Sequence, residues 1–254
     1  CQPAEARRHI QRSMPPGAAR NALDCALWDV EAKIAGQPLW QYTCLASAPK
    51  PLVTAFTISL GDADKMQADA ADAAARGYSL LKLKLTGNGD LARVAAVHRG
   101  AAGARLIVDA NESWGGLDLA AEAAALAEMG VELIEQPVAD GDDAALAGRK
   151  SPLPIFADES CHSAADIPRL AALYDGINIK LDKAGGLTEA MKIADAAQAA
   201  GMQIMVGCML STSLGIAPAF LLAQRADWVD LDGPALLAQD RSGGFRFEGG
   251  MILP

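Results

Sequence analysis

Leu80-Leu81-Lys82-Leu83-Lys84-Leu85 (residues 80–85) is the stretch around which the rest of the chain arranges itself. Side chains alternate between faces along a strand, so Lys82 and Lys84 point one way while Leu81, Leu83 and Leu85 point the other. The leucine face marks a strand that packs inside a protein. Two ammonium groups then share the opposite face, which is either a solvated sheet edge or the wall of a cleft. The flanking segments decide between these.

Those segments repeat one rhythm. Residues 53–60 read as a strand rich in β-branched and aromatic residues, and 63–76 as an alanine-rich helix ended by Gly77. After the lysine strand come a helix at 91–99, a strand at 105–109, a helix at 117–129, a strand at 132–135 and a short helix near Ala144. Strand 155–157 with helix 164–174, strand 176–180 with helix 188–200, strand 203–206 with helix 215–224, and a last strand 228–231 complete the series. Strict alternation of short apolar strands with helices builds a parallel sheet covered by helices. The first strand is followed by neither GxGxxG nor a P-loop, which disfavours an open doubly wound sheet and favours closure into a barrel. The expected class is α/β, a (β/α)7β-type TIM barrel over 53–240. A segment rich in Gly and Arg, 241–254, stands where a closing helix would be.

Ahead of the barrel, residues 1–14 are polar and basic and end at the break Pro15-Pro16-Gly17. From Ala18, Leu23, Ala26, Leu27, Val30 and Ile34 fall on one stripe, which predicts an amphipathic helix stopped by Gly36 and Pro38, with 37–52 as a connector.

Composition narrows the function classes. Across 254 residues, 22 basic against 31 acidic side chains leave a net charge of -9. That disfavours nucleic acid and anionic membrane as partners and suits a protein that holds a cation. Cys1, Cys25, Cys44, Cys161 and Cys208 are odd in number and form no CxxC pair, which speaks against a disulfide framework or a zinc cluster and for a reduced, cytoplasmic setting. No run reaches the roughly 18 apolar residues of a spanning helix, and the opening residues lack a signal-peptide core. The chain starts at Cys1 rather than Met, which is the start expected of a piece of something longer. A homo-oligomer stays open.

In a parallel barrel the chemistry sits where strands end and βα loops begin. The second strand ends in Lys82 and Lys84, the third in Asp109 with Asn111, the fourth in Glu135 with Gln136, the fifth in Asp158 with Glu159, the sixth in Lys180, and the eighth in Asp230 and Asp232. Singly, Asp109, Asn111 or Asp158 is most simply a helix N-cap. Together, three carboxylates from three successive strands converge on one axis, where they repel one another unless a cation joins them. All-oxygen ligation favours Mg²⁺ over zinc. Lys82 and Lys84 come from the strand before the trio and Lys180 from the strand after it, so ammonium groups flank a metal-bound ligand on opposite sides. A carboxylate substrate chelated by Mg²⁺ can lose its α-proton, since the metal stabilises the enediolate that forms. A neighbouring ammonium lowers a lysine's pKa toward that of a base. A base on one face and an acid on the other invert the carbon.

These residues match a known pattern. KLKL, LIVDANESW, LIEQPV, IFADES and INIKLDKAGG, in this order, resemble the enolase superfamily and, within it, the muconate lactonizing subgroup to which the dipeptide epimerases belong. GAARNALDCALWDVEAKIAGQPLW is similar to the helix that ends the family's capping domain, which makes 1–52 the helical remnant of that domain plus a connector. The resemblance implies Asp109, Glu135 and Asp158 as Mg²⁺ ligands and Lys84 and Lys180 as the two acid/bases. Lys82 would tune Lys84 and contact the substrate carboxylate, and Asn111 and Glu159 would support the ligands. Lys183 is the weaker candidate for Lys180's role, because its place after the strand end suits a loop. Asp230-Leu231-Asp232 resembles the D-x-D with which dipeptide epimerases grip the substrate's α-ammonium, and Gly207–Ser213 resembles the neighbouring pocket segment, with Ser211 as a substrate contact or simply a helix cap.

The implied activity is Mg²⁺-dependent epimerisation of a dipeptide of the L-Ala-D/L-Glu type, a substrate of cell-wall peptide recycling. The alternatives on this scaffold are o-succinylbenzoate synthase, N-acylamino acid racemase and muconate cycloisomerase chemistry, or an inactive truncated remnant. The family's α+β portion, whose loop covers the site and reads the substrate side chain, has no counterpart in this sequence, so the preferred dipeptide is not legible.

Overall fold

The computed structural model describes residues 2–43, 45 and 47–254. Cys1 and Cys44 lie outside the described residues. The chain opens with helices α1 (Pro3–Ser13), α2 (Ala18–Ile34) and α3 (Leu39–Tyr42), then runs β1 (Leu52–Val53), β2 (Phe56–Ile58), α4 (Ala63–Ala75), β3 (Leu80–Lys84), α5 (Asp90–Gly100), β4 (Arg105–Asp109), α6 (Leu119–Glu128) and β5 (Val131–Glu135). It continues with β6 (Ile155–Ala157), α7 (Ile167–Leu170), β7 (Gly176–Lys180), α8 (Leu181–Ala184), α9 (Leu187–Ala199), β8 (Gln203–Gly207), α10 (Ser213–Ala223), β9 (Trp228–Asp230), β10 (Arg246–Glu248) and β11 (Met251–Leu253).

Strands β2 to β9 form one eight-stranded sheet in sequence order, and its neighbours pair in parallel. The Ala55 N–H donates to the Val229 carbonyl at 2.8 Å, which brings the two ends of the sheet together as a barrel. The eight strands are those that the alternation predicts. Where a closing helix would stand, β10 and β11 form a hairpin whose second strand pairs antiparallel with β1.

Inside the barrel the strand period sorts side chains into storeys. Leu80, Ile107, Leu133, Phe156 and Met205, with Ala55 and Trp228, make an apolar floor, each large member contributing about 1.5–3 kcal/mol by its burial. One residue pair further along the strands the inward positions turn polar: Lys82, Asp109, Glu135, Asp158, Asn178 and Asp230. The outward leucines Leu81 and Leu83 pack under α4 and α5, as alternation requires.

The N-terminal helices depart from expectation twice. Residues 3–13 form a helix rather than a polar lead-in; it has no buried residue and holds to α2 by polar contacts, Arg7 to Glu31 at 2.8 Å and Gln11 to Asp24 at 2.8 Å. In α2 the apolar stripe is turned outward. Leu23, Val30 and Ile34 are exposed, whereas Arg20, Asn21, Asp24 and Glu31 are buried. The buried face also carries Trp28 and Ala32, but where Arg20 and Asp24 meet the backbone at the ends of α8 and α9 it is polar, because that backbone demands hydrogen bonds rather than methyl groups. Among the described residues no helix is long and apolar enough to cross a membrane.

Candidate active site and metal centre

The register of the barrel levels the site. Lys84 pairs across the sheet with Asp109, Asp109 with Glu135, and Lys180 with Gly207, itself paired with Asp230. Each side chain is therefore delivered to the same end of the barrel, and β3 and β7, four strands apart in a ring of eight, bring Lys84 and Lys180 from opposite walls.

Asp109, Glu135 and Asp158 each offer an oxygen within 4.8 Å of the others'. All three are fully buried. Asp109 accepts from Lys84 at 2.7 Å and pairs with Lys82 at 3.2 Å, both through Oδ2. Glu135 Oε1 accepts from Asn178 Nδ2 at 2.8 Å, and its Oε2 stands 2.7 Å from Lys82 Nζ. Asp158 Oδ2 accepts from Lys180 at 2.5 Å, and Lys183 pairs with Oδ1 and donates to the Asp158 carbonyl. Glu135 Oε2 and Asp158 Oδ1 lie at ion-pair distance from lysines, yet neither accepts a well-directed hydrogen bond among the described residues. Buried hard oxygens of this kind, converging from three strands, fit a hard divalent cation.

The charges are mutually dependent. Burial, reinforced by the charge of Asp109, pushes the Glu135 carboxyl up to about 8. Burial also works against Asp109 and Asp158, but Lys82 and Lys84 outweigh it for the first, and Lys183 and Lys180 for the second, so both carboxyls sit below their ordinary values. Burial disfavours the Lys82 ammonium, only 1% exposed, but Asp230, Glu135 and Asp109 outweigh it and hold its pKa well above that of a free lysine. Lys180 is likewise raised, Asp158 overcoming its burial.

Above this centre lies a cavity of about 380 Å³ bordered by Lys82, Lys84, Lys180, Asp230 and Asp232, with Cys208, Met209, Leu210 and Leu236 as an apolar wall. Asn111 and Glu159 also face it, joined Nδ2 to Oε1 at 3.3 Å. Asp230 Oδ2 accepts from Lys82 Nζ at 2.8 Å, and Asp232 Oδ2 accepts the Thr57 N–H at 2.7 Å. Burial, then the charge of Asp230, pushes the Asp232 carboxyl up to about 6. Ser211 stands apart: its hydroxyl donates to the Thr212 carbonyl at 3.3 Å, and it is not among the residues lining the cavity.

Three residues carry more than the sequence reading gave them. Asn178 faces inward two positions before Lys180 and holds Glu135; its parity with Lys180 on β7 is the signal that would have found it. Gln136, with φ of 37°, accepts from the Asp158 N–H at 2.8 Å and donates to Ser160 and the Val138 carbonyl. This unusual backbone at the end of β5 lets one amide fix the loop that carries Asp158. Lys183 lies on the short helix α8 rather than in a loop, and that turn aims its ammonium at Asp158.

Comparison with known proteins places this arrangement. A family model for the enolase C-terminal domain-like fold matches residues 65–254, and one for the mandelate racemase/muconate lactonizing enzyme N-terminal domain matches residues 4–43. The chain belongs to the mandelate racemase/muconate lactonizing group of the enolase superfamily.

Among members of this superfamily, an L-Ala-D/L-Glu epimerase of Escherichia coli (strain K12) is 44% identical over 97% of this chain and 76% of its own length. An N-acetyl-D-glutamate racemase of Pseudoalteromonas sp. is also 44% identical, over 95% of this chain and 76% of its own. An enolase family member from Agrobacterium tumefaciens with homology to dipeptide epimerases, solved with sodium and L-Ala-L-Glu, superposes with a TM-score of 0.93 at 50% identity, covering 98% of this chain and 75% of that one. A dipeptide epimerase from Methylococcus capsulatus, solved with Mg and L-Arg-D-Lys, gives a TM-score of 0.91 at 35% identity, covering 98% and 74%.

Proposed function

We propose that this chain is a Mg²⁺-dependent dipeptide epimerase acting on substrates of the L-Ala-D/L-Glu type, and that it inverts the α-carbon of the second residue. The observation that carries this reading is the delivery of Lys84 and Lys180 from opposite barrel walls to the two sides of one acidic trio. Asp109, Glu135 and Asp158 would hold the Mg²⁺, which supplies Lewis-acid stabilisation of the negative charge that develops on the substrate carboxylate.

The chain's own groups do the rest. Lys84 meets one face of the substrate α-carbon and Lys180 the other, so one lysine, as the free amine, removes the α-proton and the other, as the ammonium, delivers its own proton to the opposite face. Lys180, held protonated by Asp158, stands ready to give a proton; taking one requires Asp158 to be engaged elsewhere. Lys82, at the cavity floor, is placed to meet the substrate carboxylate. Asp230 and Asp232 present buried carboxylate to the substrate's α-ammonium, Asp230 through the Oδ1 that has no hydrogen-bond partner among the described residues. The apolar wall of Met209, Leu210 and Leu236 suits a small aliphatic side chain. Cys25, Cys161 and Cys208 are free thiols, in keeping with a reduced, cytoplasmic setting, and a dipeptide of this type as substrate would give the chain a role in peptide recycling.

Exchange in D₂O tests the proposal. With Mg²⁺ and either L-Ala-D-Glu or L-Ala-L-Glu, deuterium should enter the α-position of the glutamyl residue, and Lys84→Ala and Lys180→Ala should each abolish epimerisation. Absence of exchange with every dipeptide would sink the proposal. The likeness to a racemase of N-acetyl-D-glutamate favours a second reading, an N-acylated substrate with no ammonium for Asp232. Faster exchange with N-acetylglutamate than with any dipeptide would establish that reading instead.

A further inference from the structure

We infer that α2 is the positioning element for Lys180, with Arg20 and Asp24 as positioning residues; the inference rests on the reading of Lys180 as one of the two acid/bases. Lys180 is the last residue of β7, and the chain leaves it through the four-residue helix α8, turns at Gly185 and Gly186, and enters α9. A helix of one turn has little stability of its own and depends on what satisfies its ends.

Side chains of α2 satisfy both sides of that turn. Arg20 donates from Nε to the Gly185 carbonyl at 3.0 Å and from Nη2 to the Ala184 carbonyl at 2.7 Å, closing the C-terminal end of α8. One turn further along α2, Asp24 accepts the Thr188 N–H at 2.8 Å and the Thr188 hydroxyl at 2.7 Å, supplying from another helix the N-terminal cap of α9. Between them Asn21 donates to Asp182 Oδ1 at 3.1 Å.

The fit is close. A Cβ on Gly185 would come within 2.5 Å of Arg20 Nε, and one on Gly186 within 2.5 Å of Asp24. Both glycines also hold positive φ, 76° and 124°, so the backbone is shaped to lie against these two side chains. Lys183, on α8, pairs with the same Asp158 that holds Lys180, so a shift of α8 moves both lysines together. Lys84, on β3, is reached by none of these contacts.

This asymmetry separates positioning from general support of the fold. The experiment measures deuterium entry into L-Ala-D-Glu and L-Ala-L-Glu in D₂O with Mg²⁺, beside the melting temperature, for Asp24→Asn, Arg20→Ala and Arg20→Lys. Lys84→Ala and Lys180→Ala serve as references that assign each stereoisomer to one lysine. The expected result is a loss of about 10- to 100-fold in exchange from the Lys180-dependent stereoisomer, carried by kcat rather than KM. Exchange from the Lys84-dependent stereoisomer should stay within about twofold, and Arg20→Lys should recover part of the loss. Equal loss from both stereoisomers, or no loss from either, would overturn the inference. Were Lys180→Ala itself to leave both exchanges intact, the acid/base assignment would fall, and the inference with it. If Asp24→Asn does not fold, Asn21→Ala, which removes the hydrogen bond to Asp182 and the one accepted from Cys25, carries the same comparison.

Discussion

Lys82 and Asp230 meet Nζ to Oδ2 at 2.8 Å in the middle of the barrel, both buried, with Glu135 and Asp109 also within 3.2 Å of the same ammonium. One lysine thus balances three carboxylates directly above an apolar floor. Replacing it with an apolar residue of similar size, Lys82→Met, leaves Asp230 without its ammonium partner, while Asp109 keeps Lys84. Metal-free protein should lose about 3–5 kcal/mol of stability, and Mg²⁺ should restore part of it. Urea unfolding with and without Mg²⁺ checks both.

Asp232 sets a second expectation. Its carboxyl, pushed up to about 6 by burial and by Asp230, retains its proton below that pH and is charged above it. A grip on the substrate ammonium needs the charge, so kcat/KM for a dipeptide should fall as pH drops through about 6. Asp232→Asn should remove that limb and raise KM. A pH profile that is the same in wild type and variant would assign the limb to another group.

Glu135 gives an expectation for the metal. Its pKa in the fold is about 8 against an ordinary 4.5, so the contribution it makes to stability is full below about 4.5 and is lost as pH rises through about 8. A cation held by the trio needs the deprotonated form. The gap in melting temperature between Mg²⁺-loaded and metal-free protein should therefore widen between about pH 6 and pH 9, which a thermal-shift series reads directly.

Gly207 offers a substitution of one methyl group. A Cβ there would come within 2.6 Å of Asn178 Oδ1, so Gly207→Ala should push the Asn178 amide off Glu135. Mg²⁺ affinity should fall about 10- to 100-fold while the strands stay paired. Titration calorimetry gives the affinity, and unchanged circular dichroism would confirm the fold.

Much of this arrangement was legible in the sequence because strands ending in Lys84, Asp109, Glu135, Asp158 and Lys180 announce themselves against apolar runs. The eight strands followed from the same contrast. Asn178 and Gln136 were harder, being neutral amides whose importance lies in partners 43 and 22 residues away. Helix α1 was missed because Ile10 is its lone large apolar residue and its hold on α2 is made by Arg7 and Gln11. The burial of α2 was inverted because a hydrophobic period records where methyl groups lie. It says nothing of a helix whose inner face must answer the exposed backbone of two other helix ends.

That inversion has a practical side. On α2 the residues that hold the turn after α8 and the exposed apolar residues are different sets, Arg20 and Asp24 buried and Leu23, Val30 and Ile34 exposed. The hydrogen bonds to the turn after Lys180 and the exposed apolar positions thereby fall on different residues of a single helix, and an engineer could recolour Leu23, Val30 and Ile34 without removing any of those bonds.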